Sequence, residues 1–246
     1  MAGDKVLVFG ATGPAGICLL RELLFRNHPT IAYVRNPSKI PTELSANPLL
    51  EIVKGEIDDV EALSIAVAES SMILSLLGPN STTSLTAMPD PSIYLDFYSR
   101  LFPLMRQHGT KRIMAMSTPS AGQPEDRFHI LMALVVLLVR FIAPKAYQTV
   151  QGIANVFKEQ AQGLEWIVYR IAGIPGASDE EGWRKGRESG GVHAGYVGDG
   201  TWGFTTNRSA LARWLVDAVE DEEGIRSWIG KLPAVSGLSA SKVKTT

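Results

Sequence analysis

Apolar residues in this chain fall into two kinds of block. Val6 to Phe9, Thr30 to Val34, Leu50 to Lys54, Met72 to Leu77, Ile113 to Met116 and Trp166 to Tyr169 are short, nearly continuous apolar runs. Such runs suit strands covered on both faces of a parallel sheet. Between them, apolar positions recur every three or four residues, which predicts helices. These cover Ile17 to Phe25, Asp58 or Asp59 to Glu69, Ser92 to His108 and Tyr147 to Gln162, and a last one runs from Thr206 or Asn207 to Glu220. Either aspartate suits an N-cap, Gly109 suits a C-cap, and Pro103 is expected to kink its helix. The alternation predicts an α/β fold with a doubly wound parallel sheet and a small C-terminal cap on the substrate side. The whole of 1–246 reads as one nucleotide-binding domain, in which 177–246 supplies the smaller, substrate-side part.

Two stretches lack clear periodicity. Residues 79–91 are rich in Ser, Thr and Pro and read as a loop; 177–203 is rich in Gly and charge and reads as a mobile substrate-side region. A third stretch, Phe128 to Ala143, is apolar all round. Its uncharged run before Arg140 is too short to span a bilayer. It reads as a buried or cleft-lining helix rather than an interfacial one, because it has no strongly basic polar face.

The chemistry concentrates at the first strand-to-helix junction, where Gly10, Gly13 and Gly16 join Val6 to Phe9 to the first helix. Gly10 allows the tight turn, Gly13 lets a pyrophosphate approach the backbone, and Gly16 lets the helix lie close on the sheet. Pro14 suits the first helical turn, and Thr12 and Ala15 complete the phosphate-side loop. An ordinary Gly-rich turn is the alternative, and the strand and helix on either side argue for the dinucleotide site.

About twenty residues beyond the glycines, where an acidic residue would bind the ribose of NAD, the chain has Arg35, with Lys39 close by. A guanidinium forks onto a 2′-phosphate, so NADP(H) is expected over NAD(H); a solvated loop arginine is the alternative. Strand ends line the ligand crevice of an open parallel sheet. That makes Leu77, Gly78, Ser117 and Ile171 candidate cofactor contacts, together with Asp58 after the third strand.

Charge and composition narrow the partners. With 24 basic and 25 acidic residues, the chain offers no electrostatic case for nucleic acid or an anionic membrane. Cys18 has no partner in the sequence, so a reducing cytosol is the simplest compartment, and the first five residues do not resemble a secretory leader. The four histidines, His28, His108, His129 and His193, are scattered and give no metal signature.

The glycine motif, Val34-Arg35-Asn36-Pro37, Gly163-Leu-Glu-Trp-Ile-Val-Tyr-Arg170 and Asn207-Arg208-Ser-Ala-Leu-Ala resemble the atypical short-chain dehydrogenases. Within these the resemblance is to the NmrA-like, NAD(P)H-binding group. It implies a serine, a tyrosine and, four residues on, a lysine as the proton-transfer set. Ser117 matches the serine and Tyr147 the tyrosine, but Gln151 stands where the lysine is expected. Glutamine can hydrogen-bond ribose hydroxyls, yet it has no charge with which to favour a tyrosinate. Tyr147 is then a hydrogen-bond donor or weak general acid, or else an aromatic packed at its helix start. His129, His193, Tyr196 and Asp199 are weaker polar candidates.

The expected function is an NADP(H)-dependent reductase of an apolar, aromatic or polycyclic small molecule in secondary metabolism. The segment from Phe128 to Ala143, with Trp183, Trp202 and Phe204, would wall its cleft. The missing lysine motivates an alternative, a redox-neutral or redox-assisted cyclase or isomerase. A second alternative is an NADP-sensing regulator without turnover.

Overall fold

A computed structural model describes residues 3–78 and 89–238. The elements are β1 (Lys5–Phe9), α1 (Pro14–Phe25), β2 (Thr30–Val34), a 3₁₀ turn (Pro37–Lys39), α2 (Thr42–Ser45), β3 (Leu50–Lys54), α3 (Val60–Ala68) and β4 (Ser70–Ser75). They continue with α4 (Pro91–His108), β5 (Arg112–Ser117), α5 (Ile130–Ile142), α6 (Pro144–Gln160) and β6 (Glu165–Arg170). The chain then forms α7 (Glu180–Arg187), β7 (Val192–Gly195), α8 (Arg208–Glu220), α9 (Glu222–Arg226) and β8 (Ala234–Gly237).

The strands form one sheet in the order β3-β2-β1-β4-β5-β6-β8-β7, parallel throughout except for β7 against β8. The order reverses between β1 and β4, which opens a crevice at their carboxyl ends. One face is packed by α1, α8 and Trp183 of α7, with Leu19, Leu20, Leu23, Leu211 and Leu215 at 0–1% exposure. The other is packed by α3, α4 and α6 around Phe97, Tyr98, Phe102 and Phe157. The doubly wound expectation is therefore borne out.

Local signals behave as read. Asp59 rather than Asp58 caps α3, accepting from Ala62 N at 3.0 Å, and Asn207 rather than Thr206 caps α8, accepting from Ser209 N at 2.9 Å. Gly109 takes φ +78° at the end of α4, which runs on as one helix through Pro103. Of the loop expected over 79–91, residues 79–88 lie outside the described residues.

Two expectations are corrected. The 177–203 region is not an aperiodic loop, since it holds α7 and β7. β7 pairs with β8 in the register Val192↔Gly237 to Gly195↔Ala234, a contact made across most of the C-terminal sequence that local periodicity does not register. Of the two readings of 128–143, cleft-lining holds and buried does not: α5 lines a cleft on one face, and Met132 is its one buried residue. A helix apolar all round gives no sign of which face meets protein, and here one face lines a cleft while the other stays uncovered. Among the described residues no single helix is long and apolar enough to cross a membrane, and α5 and α6 meet at a bend of 112°.

The α1–α7 junction carries a buried carboxylate. Glu22, fully buried, accepts from Arg26 Nε at 2.8 Å, Arg187 Nε at 2.7 Å and Trp183 Nε1 at 3.2 Å. Without Glu22, Arg187 loses its carboxylate while Arg26 keeps Asp217 and Glu220, so the cost is at the low end for a broken buried pair, about 3 kcal/mol. Glu22→Ala should therefore lower Tm by about 6–12 °C, as differential scanning calorimetry would show. An unchanged Tm would mean that α7 is held by other contacts.

Candidate functional site

The three glycines of the first turn do different work. Gly10 has φ +76°, and a Cβ there would stand 2.9 Å from the Leu76 carbonyl oxygen of the neighbouring strand end. A Cβ on Gly16 would overlap the Gly10 carbonyl and come within 2.7 Å of Ala11 Cα, so this glycine sets how closely α1 approaches β1. Around Gly13 the protein leaves room, with only Gly10 O, at 3.4 Å, near a Cβ among the described residues. Pro14 opens α1, with Ala15 after it, and no side chain caps the helix. Its first-turn N–H groups and positive dipole end are left for an anionic ligand.

This turn opens onto a crevice of 230 Å³ that Gly10, Thr12, Gly13, Arg35, Leu77 and Gly78 help to line. Arg35 is exposed and makes no hydrogen bond or ion pair among the described residues. Its charge acts on Tyr94, whose hydroxyl donates to Gly78 O at 3.3 Å; burial pushes this phenol up and Arg35 opposes the shift. Lys39, also exposed, lies with Thr12, Pro14 and Arg21 along a second groove and does not line the nucleotide crevice. Asp58 is exposed in the turn before α3, and of this turn Ile57 rather than Asp58 lines the crevice. Ile171 is 3% exposed, packed in the core, and donates its N–H to Ser117 O at 3.0 Å.

Ser117 ends β5 at 5% exposure, and its Oγ has no hydrogen-bond partner among the described residues. A buried hydroxyl left without a partner is disfavoured by about 1–3 kcal/mol. A polar ligand running along the strand ends would satisfy it. The open space at Gly13, the uncapped α1 and the orphaned Ser117 hydroxyl thus all fit a dinucleotide.

Past Ser117 the chain enters the wall of a larger cleft of 540 Å³. Ser120, Met132, Val136, Tyr147 and Gln151 are among the residues lining it. Tyr147 and Gln151 lie one turn apart on α6. Gln151 Nε2 donates to Ser120 O at 2.5 Å, and the Arg140 guanidinium sits 5.8 Å from the Tyr147 ring centroid. The structure therefore brings Tyr147 and Gln151 together with Ser120, whereas Ser117 remains in the strand-end layer. Ser120 was missed in the sequence because its place depends on how 118–126 folds.

That segment is pinned by an ion pair that periodicity does not reveal. Arg170 is fully buried and binds Asp126 bidentately at 2.6 and 2.8 Å, while its Nε donates to Leu232 O at 2.7 Å. Asp126 also accepts from Gln123 N and Val197 N. Burial pushes the Asp126 carboxyl up, but Arg170 and these N–H groups outweigh it and hold it below the usual aspartate value.

Other polar candidates are held by structural contacts, and of them His129 also lines the cleft. His129 caps α5, its Nδ1 accepting from Met132 N at 3.3 Å, and its ring meets Trp202 edge-on at 5.4 Å. Asp199 gathers the turn at 196–202, accepting from His193, Thr201 and the N–H groups of Tyr196 and Trp202. Trp202 and Phe204 pack against the inner face of α5, behind the cleft. Trp183 does not wall the cleft, because it is buried against Phe25 at 5.5 Å on the α1 side.

The model of the NAD(P)H-binding family matches residues 10–222. The chain belongs to this family. A 3-beta-hydroxysteroid dehydrogenase of Mycolicibacterium neoaurum is 27% identical over 202 residues, 78% of this chain and 53% of that protein. A 3 beta-hydroxysteroid dehydrogenase/Delta 5-->4-isomerase of Mycobacterium tuberculosis is 26% identical over 207 residues, 75% of this chain and 51% of that protein. The chain spans about half the length of the curated relatives it matches. Among solved structures, a wide-type short-chain dehydrogenase/reductase of Veillonella parvula in complex with NADP superposes with a TM-score of 0.72 at 15% identity, covering 95% of this chain and 94% of that one. A Lactococcus lactis oxidoreductase gives 0.66 at 17% identity, covering 95% and 90%. The expected resemblance to short-chain dehydrogenases thus holds.

For a member of the NAD(P)H-binding family, the glycine geometry separates ligand from fold. Gly13→Val should abolish cofactor binding in calorimetry while the melting curve stays close to the parent's; Gly16→Val should lower Tm. Normal cofactor affinity in Gly13→Val would place the dinucleotide elsewhere. Asp126 adds a pH test. A depressed folded-state pKa stabilises the protein above the unfolded value, and that stability is lost as pH falls through the folded one. Asp126→Asn should flatten the acid limb of Tm against pH below about 4; an unchanged limb would show that the ion pair does not contribute.

Proposed function

We propose that this chain is an NADP(H)-dependent oxidoreductase of a flat, apolar small molecule. The observation that carries this reading is the juxtaposition along β5. Ser117 ends β5 next to β4, after which Leu77 and Gly78 line the nucleotide crevice. Two residues past Ser117 the chain enters at Pro119 a largely apolar cleft that also holds Ser120 and Tyr147. NADPH, when bound, supplies the hydride. The chain's own residues bind, orient and keep water out: α1 and Gly13 receive the pyrophosphate, and Arg35 receives the 2′-phosphate. Met132, Val136 and Leu137 hold an apolar ring system.

The proton has a different origin from that in a tyrosine–lysine pair. Gln151 is neutral and its amide is engaged with Ser120, so it fixes the cleft wall and supplies no cation. Tyr147 donates as a neutral phenol, with the Ser117 hydroxyl or water as alternative donors to the oxygen of a reduced carbonyl. The relatives named as hydroxysteroid dehydrogenases support a polycyclic substrate class. The neutral Gln151, with a relative whose name includes an isomerase, favours as second reading a redox-neutral isomerisation on the same scaffold. Substrate turnover without net NADPH consumption would decide for that reading. Cofactor binding without turnover on any ketone, enone or quinone would point to a regulator.

Two measurements test the leading reading. Calorimetry should show tighter binding of NADPH than of NADH, and Arg35→Ala should erode the difference by about tenfold, the low end for a charge-assisted contact at an exposed site. Equal affinity for both cofactors in the parent protein would contradict the role of Arg35. In single-turnover NADPH oxidation with a polycyclic ketone or quinone, Tyr147→Phe should slow the step by less than about 10²-fold, and Val136→Asn in the cleft wall should slow it more. A loss of several orders of magnitude in Tyr147→Phe alone would show that the tyrosine carries the proton transfer.

A further inference from the structure

The outer face of α5 is apolar and uncovered. Phe128, Ile130, Leu134, Leu138, Phe141 and Ile142 are 84, 67, 57, 57, 75 and 52% exposed. They lie on one side of a single helix and the residue pair flanking it, so they form a contiguous patch rather than scattered surface residues. Monomeric proteins seldom leave such a patch in water. The 13 residues of α5 span about 20 Å. That is shorter than the hydrocarbon core of a bilayer, so the helix can lie on a membrane but not cross one.

Charge discriminates between the possible occupants. Between Asp126 and Glu159 the sequence has Arg127, Arg140, Lys145 and Lys158 and no acidic residue. Asp126 is neutralised by Arg170, and Lys145 is attracted to Asp90. Arg127 and Arg140 remain, exposed near the two ends of α5. An antiparallel pairing of this face with a second copy would set Arg127 of each against Arg140 of the other; α5 itself carries no carboxylate to balance them, and the nearest exposed one before it is Glu125. An anionic lipid surface balances both, and arginine reaches headgroups while its stem covers apolar surface.

We propose that α5 docks flat in the interface of an anionic lipid bilayer, with its apolar face among the acyl chains and Arg127 and Arg140 at the headgroups. Phe128, Leu137 and Arg140 also line the 540 Å³ cleft, so the cleft opens at the docked surface. An apolar substrate then enters from the bilayer without crossing water. This last consequence rests on the cleft being the substrate site, whereas the docking itself does not.

Flotation of the full chain with vesicles, without cofactor or substrate, tests the docking apart from any turnover. The chain should float with phosphatidylcholine vesicles containing phosphatidylserine, and less so in high salt. Arg127→Gln and Arg140→Gln should each weaken binding about fivefold. Leu134→Gln/Leu138→Gln/Phe141→Ser, all outside the cleft lining, should weaken it by more than about tenfold while NADPH binding by calorimetry is retained. The single variant Phe141→Asp serves if the triple variant does not fold. A chain that stays unbound, or that binds pure phosphatidylcholine equally well without salt dependence, overturns the proposal. So does a vesicle-free dimer in sedimentation velocity that Phe141→Asp dissociates, because a second copy would then cover the face.

Discussion

The close approach of α1 to the ends of β1 and β4 is the constraint on which the rest of the structure depends. It is possible because Gly10 turns with φ +76° against Leu76 and Gly16 lies against Gly10 and Ala11 with no space for a Cβ. With α1 seated there, its uncapped N-terminus points into the switch point of the sheet, and an anion-binding end meets the crevice by construction. α8 and Trp183 then complete the packing around α1, and Glu22 ties the outer side together through Arg26, Arg187 and Trp183.

The polar chemistry is arranged in two layers rather than one. Ser117, with its unpartnered hydroxyl, belongs to the strand ends, while Tyr147, Gln151 and Ser120 belong to the cleft wall. The Gln151 bond to Ser120 gives the glutamine a mechanical task, holding α6 to the segment that follows β5. A lysine there would bring a charge to the cleft, and a glutamine keeps it neutral. On the proposed reading, such a cleft would select substrates by shape and apolar contact and leave the hard chemistry to the cofactor.

The parallel strands β1 to β6 could be read from sequence because their signals are local. Continuous apolar runs marked all six, glycine spacing marked the phosphate turn, and an aspartate at 58 or 59 marked a helix start. Of the C-terminal part, α8 could be read by its period and cap, but β7 and β8 could not. β7 and β8 are four residues each, and β7 pairs with a strand far along the chain, so neither has a periodicity of its own. The α5 segment left two readings open for a different reason, since hydrophobicity on every side says that a helix avoids water without saying what covers it. Of the site, the Gly10–Gly16 turn and Arg35 were visible as types at known spacings. Ser120 was not, because the Asp126–Arg170 pair that shapes its loop joins residues 44 apart.

The proposed path of the dinucleotide runs from the glycine turn past Ser117 to the cleft holding Tyr147. A crystal structure of the chain with NADPH would show whether the cofactor follows it. The pyrophosphate should lie over Gly13 and the first-turn N–H groups of α1, the 2′-phosphate at Arg35, and the nicotinamide beside Ser117 facing the cleft. A dinucleotide bound away from Gly13, or one whose nicotinamide turns away from Tyr147, would contradict that path.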